Sequence, residues 1–156
     1  MFVGDIDHSR VVGSNALLFK RFGANLTFCG PATLVTSRFK KFGKISPDLD
    51  SEIPKADVVM MLRIQLERHE GKMFPSVREY RHFYGLNRTR LALLKPDAII
   101  MHPGPMNRGV EIDSCAAESK NSVIEQQVSN GVPIRMAVLK FCLAERRISA
   151  SRRLKV

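Results

Sequence analysis

Residues Asp57-Val-Val-Met-Met-Leu62 contain the clearest strand signal in the chain, at positions 58–62. Every side chain from 58 to 62 is apolar, which is typical of a parallel strand buried on both faces of a sheet. Three shorter apolar segments, at residues 2–3, 26–29 and 98–101, are also predicted to be strands. The sequence therefore predicts a mostly parallel sheet built around residues 58–62.

Helical patterns separate these strands along the chain. Ser9 is predicted to cap a helix that continues to residue 22 and carries an apolar stripe of Val11, Val12, Leu18, Phe19 and Phe22. Further helices are predicted at residues 37–42, 76–84, 87–94, 122–130 and 134–147, the last two separated by Gly131 and Pro133. This alternation predicts an α/β fold, a three-layer α-β-α sandwich with a mostly parallel sheet and helices on both faces.

Composition limits the class of protein. The chain has 156 residues, of which 44% are hydrophobic, so one domain with a substantial core is expected. No apolar run approaches the roughly 18 residues of a membrane span, and the first residues lack the basic start and apolar stretch of a signal peptide. Three widely spaced cysteines argue against a disulfide framework and a zinc site. We therefore expect a reducing, cytoplasmic compartment and no metal.

The charge balance admits two kinds of partner. A formal net charge of +10 suits either nucleic acid or an anionic small molecule. Tryptophan is absent and most basic residues are scattered, which disfavours nucleic acid. The densest basic cluster lies at residues 145–155, and we interpret residues 148–156 as a solvated basic tail.

The loops that follow the predicted strands carry the candidate functional residues. In parallel sheets, ligands bind beyond the carboxyl ends of the strands. Among the residues of those loops are four arginines and a histidine that follows a strand directly: Arg10, Arg63, Arg68, Arg108 and His102. Guanidinium groups bind carboxylates and phosphates through paired hydrogen bonds, so this edge suits a ligand with several carboxylates or a phosphate. No glycine-rich phosphate loop, metal-ligand spacing or nucleophile–base pair is evident in the sequence.

Four sequence stretches resemble a known family. They are Gly4-Asp-Ile-Asp-His-Ser-Arg10, Asp57-Val-Val-Met-Met-Leu-Arg-Ile-Gln-Leu-Glu-Arg68, Met101-His-Pro-Gly-Pro-Met-Asn-Arg-Gly-Val-Glu-Ile112 and Gln127-Val-Ser-Asn-Gly-Val-Pro-Ile-Arg-Met-Ala-Val-Leu139. In order and spacing they resemble the catalytic chain of aspartate carbamoyltransferases. The similarity is confined to the C-terminal, aspartate-binding domain of that family. It implies an aspartate-binding domain over residues 1–147 and the absence of the N-terminal domain that grips carbamoyl phosphate.

The resemblance implies roles for individual residues. Arg10 and Arg63 match the arginines that hold the two carboxylates of aspartate, and Gln65 matches a residue that orients the amine side. Arg108 matches a position in the loop that joins the contributions of the two domains.

Two further groups match supporting parts of the family's site. Pro103 and Gly104, with Pro105 beside them, match a loop whose backbone carbonyls accept hydrogen bonds from the carbamoyl NH₂ group. Glu67 and Arg68 match a polar network that fixes the loop after residue 65.

The reaction implied by the resemblance is transfer of a carbamoyl group to the amine of L-aspartate, an early step of pyrimidine synthesis. No cofactor is implied. The partners implied are L-aspartate, carbamoyl phosphate together with the missing domain, and further copies of the chain, because the family forms homotrimers. This chain alone is expected to bind aspartate weakly and not to turn over.

Alternatives remain open at the level of residues and of function. Arg63 could instead pair with Glu67 if the intervening loop is helical. His102 is interpreted as a hydrogen-bonded structural histidine rather than a catalytic base, and His8 as a surface residue. The chain could also be a non-catalytic binding or assembly module, or a basic domain whose binding to nucleic acid weakens with salt.

Overall fold

Five parallel strands form a single sheet in a computed structural model that describes residues 1–64 and 76–153, with side chains through residue 144. The strands are β1 (Phe2–Val3), β2 (Thr27–Cys29), β3 (Lys44–Ser46), β4 (Val58–Met61) and β5 (Ile99–Met101). Their order across the sheet is β3-β2-β1-β4-β5, and Phe2 pairs with Phe28 on one side and Met60 on the other. The predicted parallel sheet is confirmed, with the strand at 58–61 next to its centre.

The described residues contain six α-helices and two short 3₁₀ helices. The predicted cap is present, because Ser9 Oγ accepts from the Val12 amide. Two of the other predicted helices are capped in the same way: Ser76 Oγ accepts from the Glu79 amide, and Asn87 Oδ1 from the Arg90 amide. The α-helices are α1 (Arg10–Arg21), α2 (Leu49–Glu52), α3 (Val77–Tyr84), α4 (Arg88–Leu91), α5 (Ser114–Ala117) and α6 (Ile124–Arg153), and the 3₁₀ helices are Ser37–Lys41 and Ile53–Lys55. The chain divides into two compact units, Met1–Ile124 and Glu125–Val156.

The first unit has a hydrophobic core on each face of the sheet. Phe2 belongs to a buried cluster that includes Val12 of α1, while its neighbour Val3 belongs to a different cluster that includes Leu49 of α2. The same alternation continues along β4, because successive side chains in a strand point to opposite faces. The α/β fold with helices on both faces is thereby confirmed.

The apolar stripe predicted for α1 is only partly correct. Val12 and Ala16 are its buried residues, whereas Leu18 and Phe22 are exposed, Phe22 at 78%. Residues 12 and 16 lie one turn apart on one line of the helix, and that narrow line is what packs against the sheet. Phe19 is partly buried against the same core cluster, whereas Leu18 and Phe22 extend around the helix beyond this contact.

Strand β3 was not predicted from the sequence. It is an edge strand with one neighbour, β2, and its three residues Lys44-Ile-Ser46 carry no apolar alternation. A side chain at Gly43 would collide with the carbonyl of Leu26, so glycine permits the close approach that lets the Lys44 amide donate to that carbonyl at 2.8 Å. Gly43 and Pro47 flank this short strand.

The predicted break between two C-terminal helices is wrong. Helix α6 continues through Gly131 and Pro133, and it extends beyond residue 147 to Arg153. Proline has a backbone φ compatible with a helix, but it lacks an amide donor and its ring crowds a carbonyl of the preceding turn. A helix of 30 residues can accommodate this local cost. Within the described residues, no helix is both long and apolar enough to cross a membrane.

Candidate functional site

A cleft lies where three neighbouring strands end. Strands β1, β4 and β5 are adjacent in the sheet, so the segments that follow them emerge at one edge. These segments enclose a cleft of about 350 Å³. Its lining residues are Asp5, His8, Ser9, Arg10, Val11, Arg63, Pro103, Gly104 and Pro105.

The structure brings together five of the residues singled out in the sequence. Arg10 and Arg63 line the same cleft, as do the three residues at 103–105. Arg10 begins α1, whose first turn contains no acidic residue, and the positive end of the helix dipole adds to its charge. Two guanidinium groups and a helix start at one cleft create a strong preference for an anionic guest.

Of the other predicted site residues, the structure describes Arg108. Arg108 is not among the lining residues of the cleft, and its Nη1 atom pairs with Glu118 Oε1 at 2.6 Å. Gln65, Glu67 and Arg68 lie outside the described residues, and so does the alternative pairing of Arg63 with Glu67.

Asp5 and His8 form a polar pair in the wall of the cleft. Asp5 is 2% exposed, and its Oδ1 accepts from the His8 amide at 3.2 Å and lies 2.7 Å from His8 Nδ1. His8 is an exposed residue, as interpreted from the sequence, but it also faces the cleft. Asp5 was not singled out in the sequence, because its burial is visible only in the folded chain, where the His8 amide supplies a donor that a buried carboxylate needs.

Asp7 fixes the same segment from its other side. Its carboxylate accepts from the Thr36 amide at 2.9 Å and from the Thr36 hydroxyl at 2.8 Å. Arg38 Nε lies 2.8 Å from the same carboxylate. These contacts join the segment after β1 to the loop after β2, so the start of α1 and Arg10 are held in place by the loop beside them.

His102 and Glu111 form a buried polar pair behind the cleft. His102 Nδ1 accepts from the Gly104 amide at 2.9 Å, and His102 Nε2 lies 3.3 Å from Glu111 Oε1. Both side chains have no exposed surface. His102 is therefore buried and hydrogen-bonded, as is expected of a structural histidine. Glu111 was not singled out in the sequence, because nothing there distinguishes it from an exposed acid such as Asp57, which also precedes an apolar residue.

A larger cleft of about 550 Å³ lies at the opposite edge of the sheet. It is lined by residues at the amino ends of strands, among them Phe2, Leu26 and Val58. Binding sites of parallel sheets lie at the carboxyl ends, and no arginine is among the described residues that line this larger cleft. The smaller cleft is therefore the candidate functional site.

The family described as aspartate/ornithine carbamoyltransferase, Asp/Orn binding domain, matches residues 1–142 of the chain. The chain belongs to this family. Membership confirms the resemblance carried by the strand-end motifs, and the family's domain spans all the cleft-lining residues.

Several relatives are named aspartate carbamoyltransferase catalytic subunit. The protein from Desulforapulum autotrophicum is 55% identical over 137 residues, covering 87% of this chain and 44% of the relative. The protein from Corynebacterium urealyticum is 54% identical and covers 89% of this chain and 45% of the relative. The protein from Halothermothrix orenii is 50% identical and covers 96% of this chain and 48% of the relative. The chain thus spans just under half the length of these relatives.

Two solved structures share the fold. Ornithine carbamoyltransferase from Pyrococcus furiosus matches with a TM-score of 0.73 at 24% identity, over 88% of this chain and 47% of that one. Ornithine carbamoyltransferase from Burkholderia thailandensis matches with a TM-score of 0.68 at 18% identity, over 90% of this chain and 45% of that one. At these identities the likeness concerns the fold alone.

Proposed function

We propose that this chain supplies the aspartate-binding half of an aspartate carbamoyltransferase. The observation that carries the proposal is that Arg10 and Arg63, far apart in sequence, line one cleft together with the loop at 103–105. A dicarboxylic amino acid can engage one guanidinium group with each carboxylate. The names of the relatives, at 50–55% identity, agree with aspartate as the amino acid.

The proposed chemistry joins the two substrates at the cleft. Arg10 and Arg63 hold the carboxylates of L-aspartate, and Gln65 orients the amine side. The backbone carbonyls of Pro103 and Gly104, next to Pro105, accept from the carbamoyl NH₂ group. The neutral amine attacks the carbamoyl carbon and forms a C–N bond through a tetrahedral intermediate. The C–O bond to phosphate then breaks, the amine loses a proton, and N-carbamoyl-aspartate and phosphate leave, as in de novo pyrimidine biosynthesis.

In this proposal the chain depends on a second half for turnover. Carbamoyl phosphate is gripped by the domain that the relatives contain in addition, and the whole assembly is a homotrimer. Glu67 and Arg68 support the loop after Gln65, and Arg108 lies where the contributions of the two domains meet. The proposed location is the cytoplasm, which suits the three free cysteines.

The proposal is tested by calorimetric titration of the chain with L-aspartate, L-asparagine and L-ornithine. We expect saturable binding of L-aspartate. L-asparagine should bind at least about tenfold more weakly, because a neutral amide cannot form the bidentate ion pair that a carboxylate forms with arginine. We expect no binding of L-ornithine, whose side chain is cationic. Preference for L-ornithine, or no binding of L-aspartate, would contradict the proposal.

A turnover assay tests the dependence on a second half. With carbamoyl phosphate and L-aspartate, the chain alone is expected to release no phosphate. Phosphate release should appear when the remaining half of a relative, such as the Desulforapulum autotrophicum protein, is supplied as a separate chain. Turnover by the chain alone would overturn this part of the proposal.

A further inference from the structure

The loop after β5 is held from behind by two fully buried polar side chains. His102 and Glu111 have no exposed surface, and both belong to the segment that contributes residues 103–105 to the cleft. Burying a carboxylate is costly unless hydrogen bonds compensate for the lost water. A hydrophobic pair would fill the same space without that cost. The role of His102 and Glu111 therefore lies in the hydrogen bonds that they make.

The contacts fix the protonation of His102. The Gly104 amide can only donate, so His102 Nδ1, at 2.9 Å, must be the accepting nitrogen. The proton of the neutral ring is therefore on Nε2, which lies 3.3 Å from Glu111 Oε1 and donates to it. One ring thus links a backbone amide in the cleft wall to a buried carboxylate.

Glu111 extends the connection to the second wall of the cleft. Its Oε1 also accepts from the Asn107 amide at 2.6 Å, and Asn107 Nδ2 donates to the carbonyl of Ile64 at 3.0 Å. Ile64 directly follows Arg63. A continuous hydrogen-bonded path therefore runs from Gly104 through His102, Glu111 and Asn107 to the segment that carries Arg63.

We propose that His102 and Glu111 are positioning residues that hold the backbone at 103–105 in register with the segment that carries Arg63. This role rests on the proposed function and deepens it. The relative position of the two segments matters because the amino acid bound by Arg63 must meet a group bound at 103–105. Side chains that contact the ligand need such a second set of contacts to stay within a few tenths of an ångström of the productive geometry. Neither His102 nor Glu111 lines the cleft itself.

Two substitutions of His102 separate its two contacts. In His102→Asn the side-chain oxygen takes the place of Nδ1 and can accept from Gly104, but the donor to Glu111 is lost. In His102→Gln the side-chain amide takes the place of Nε2 and can donate to Glu111, but the acceptor for Gly104 is lost. Each variant is measured in the 156-residue chain, with the dispersion of its amide NMR spectrum as the check on folding.

The readouts are the tautomer of His102, amide hydrogen exchange at Gly104 and the Kd for L-aspartate. In the unsubstituted chain we expect the ring proton on Nε2. His102→Gln is expected to speed Gly104 exchange by about tenfold and to weaken L-aspartate binding by about tenfold, the equivalent of one lost hydrogen bond. In His102→Asn, which keeps the acceptor, Gly104 should exchange as slowly as in the unsubstituted chain. A ring proton on Nδ1, or equal Gly104 exchange in the Gln variant and the unsubstituted chain, would overturn the proposal.

Glu111→Gln provides a second variant should His102→Gln not fold. It keeps the shape and one accepting oxygen but removes the charge, so the Asn107 amide should exchange several-fold faster and L-aspartate should bind more weakly. Unchanged exchange and unchanged affinity would reject a positioning role for Glu111. Failure of the unsubstituted chain to bind L-aspartate would instead reject the proposed function, whereas the exchange and tautomer results concern the positioning path alone.

Discussion

Gly4 leaves β1 with a backbone φ of +120°, a conformation that favours glycine. A Cβ at this position would lie 2.8 Å from the Tyr80 hydroxyl and 3.2 Å from the Leu62 carbonyl oxygen. We therefore expect Gly4→Ala to reduce the free energy of unfolding by about 1–3 kcal/mol. Urea unfolding followed by circular dichroism measures the change.

Gly13 is the matched control for that substitution. It lies inside α1, and a Cβ there would have no neighbour within 4 Å. Gly13→Ala is expected to raise the free energy of unfolding by about 0.5–1 kcal/mol, because alanine loses less backbone entropy in a helix. Equal effects at both glycines would show that the crowding and the φ at Gly4 do not matter.

At the scale of residues, the sequence predicted the site best where charge follows a strand. Arg10 and Arg63 could be placed at one edge because parallel strands end together. The buried partners Asp5 and Glu111 could not be placed in the same way, because their donors come from backbone amides that only the folded chain brings near. Arg108 follows a strand as well, yet its ion pair with Glu118 directs it away from the lining of the cleft.

At the scale of elements, the side chain of Arg90 in α4 binds both α2 and the end of α3. Arg90 is 6% exposed and donates to both carboxylate oxygens of Asp50, at 2.6 and 3.1 Å. Its other donors bind the carbonyls of Gly85 and His82. The hydrogen bonds from Arg90 lower the pKa of Asp50 below its ordinary value of 3.8.

The pH dependence of Asp50→Asn follows from that shift. A carboxyl group with a lowered folded-state pKa stabilises the fold above its unfolded pKa and loses this contribution as the pH falls through the folded value. We expect the variant to be less stable by about 1–2 kcal/mol at pH 7, limited by solvent screening of the Asp50 carboxylate, which is 59% exposed. The difference should shrink as the pH falls below 3.8. Urea unfolding at several pH values measures it.

Asp57→Asn is the control for that experiment. Asp57 pairs with Lys95 at 2.6 Å, but this pair lies at the surface. We expect a clearly smaller loss of stability than for Asp50→Asn, because an exposed ion pair leaves no buried charge behind when it is broken. A pH-independent difference between Asp50→Asn and the unsubstituted chain would contradict the role of the Asp50 carboxylate.

The elements themselves were predictable in proportion to their burial. Strand β4 is apolar throughout and buried at residues 59–61, so its pattern stands out, whereas the three-residue edge strand β3 has one neighbour and only one apolar residue. Helix α6 shows the opposite failure. Gly131 and Pro133 are strong local signals for a break, but local propensity is a weak guide within a helix long enough to tolerate one proline.

At the scale of the whole molecule, Cys29 reports on global opening. It is buried at the end of β2, and burial, followed by the nearby carboxylates of Asp48 and Glu52, raises the pKa of its thiol to about 12 from 9.0. A rise of this size lowers the reactive thiolate fraction at neutral pH by about a thousandfold. Alkylation at pH 8 should therefore modify Cys115 and Cys142 first, and Cys29 only when the fold opens. Peptide mass spectrometry distinguishes the sites, and early labelling of Cys29 would contradict its burial.

The two compact units give a second prediction at this scale. The buried apolar residues among the described positions all lie in Met1–Ile124, whereas α6 presents exposed apolar side chains such as Ile134 and Phe141. Removal of residues 128–156 is expected to leave a chain that still unfolds cooperatively in urea. Loss of cooperative unfolding would show that the sheet and its two cores depend on the second unit.

The most direct measurement is the affinity for L-aspartate of Arg10→Ala and Arg63→Ala, compared with Arg81→Ala. Arg81 is an arginine outside the cleft that pairs with Asp113 at 2.9 Å. Arg10→Ala and Arg63→Ala should each weaken binding by about 2–4 kcal/mol, the cost of losing a charge-assisted pair to a carboxylate. Arg81→Ala should bind like the unsubstituted chain. If either Arg10 or Arg63 can be removed without loss of affinity, the two arginines do not share one dicarboxylic guest.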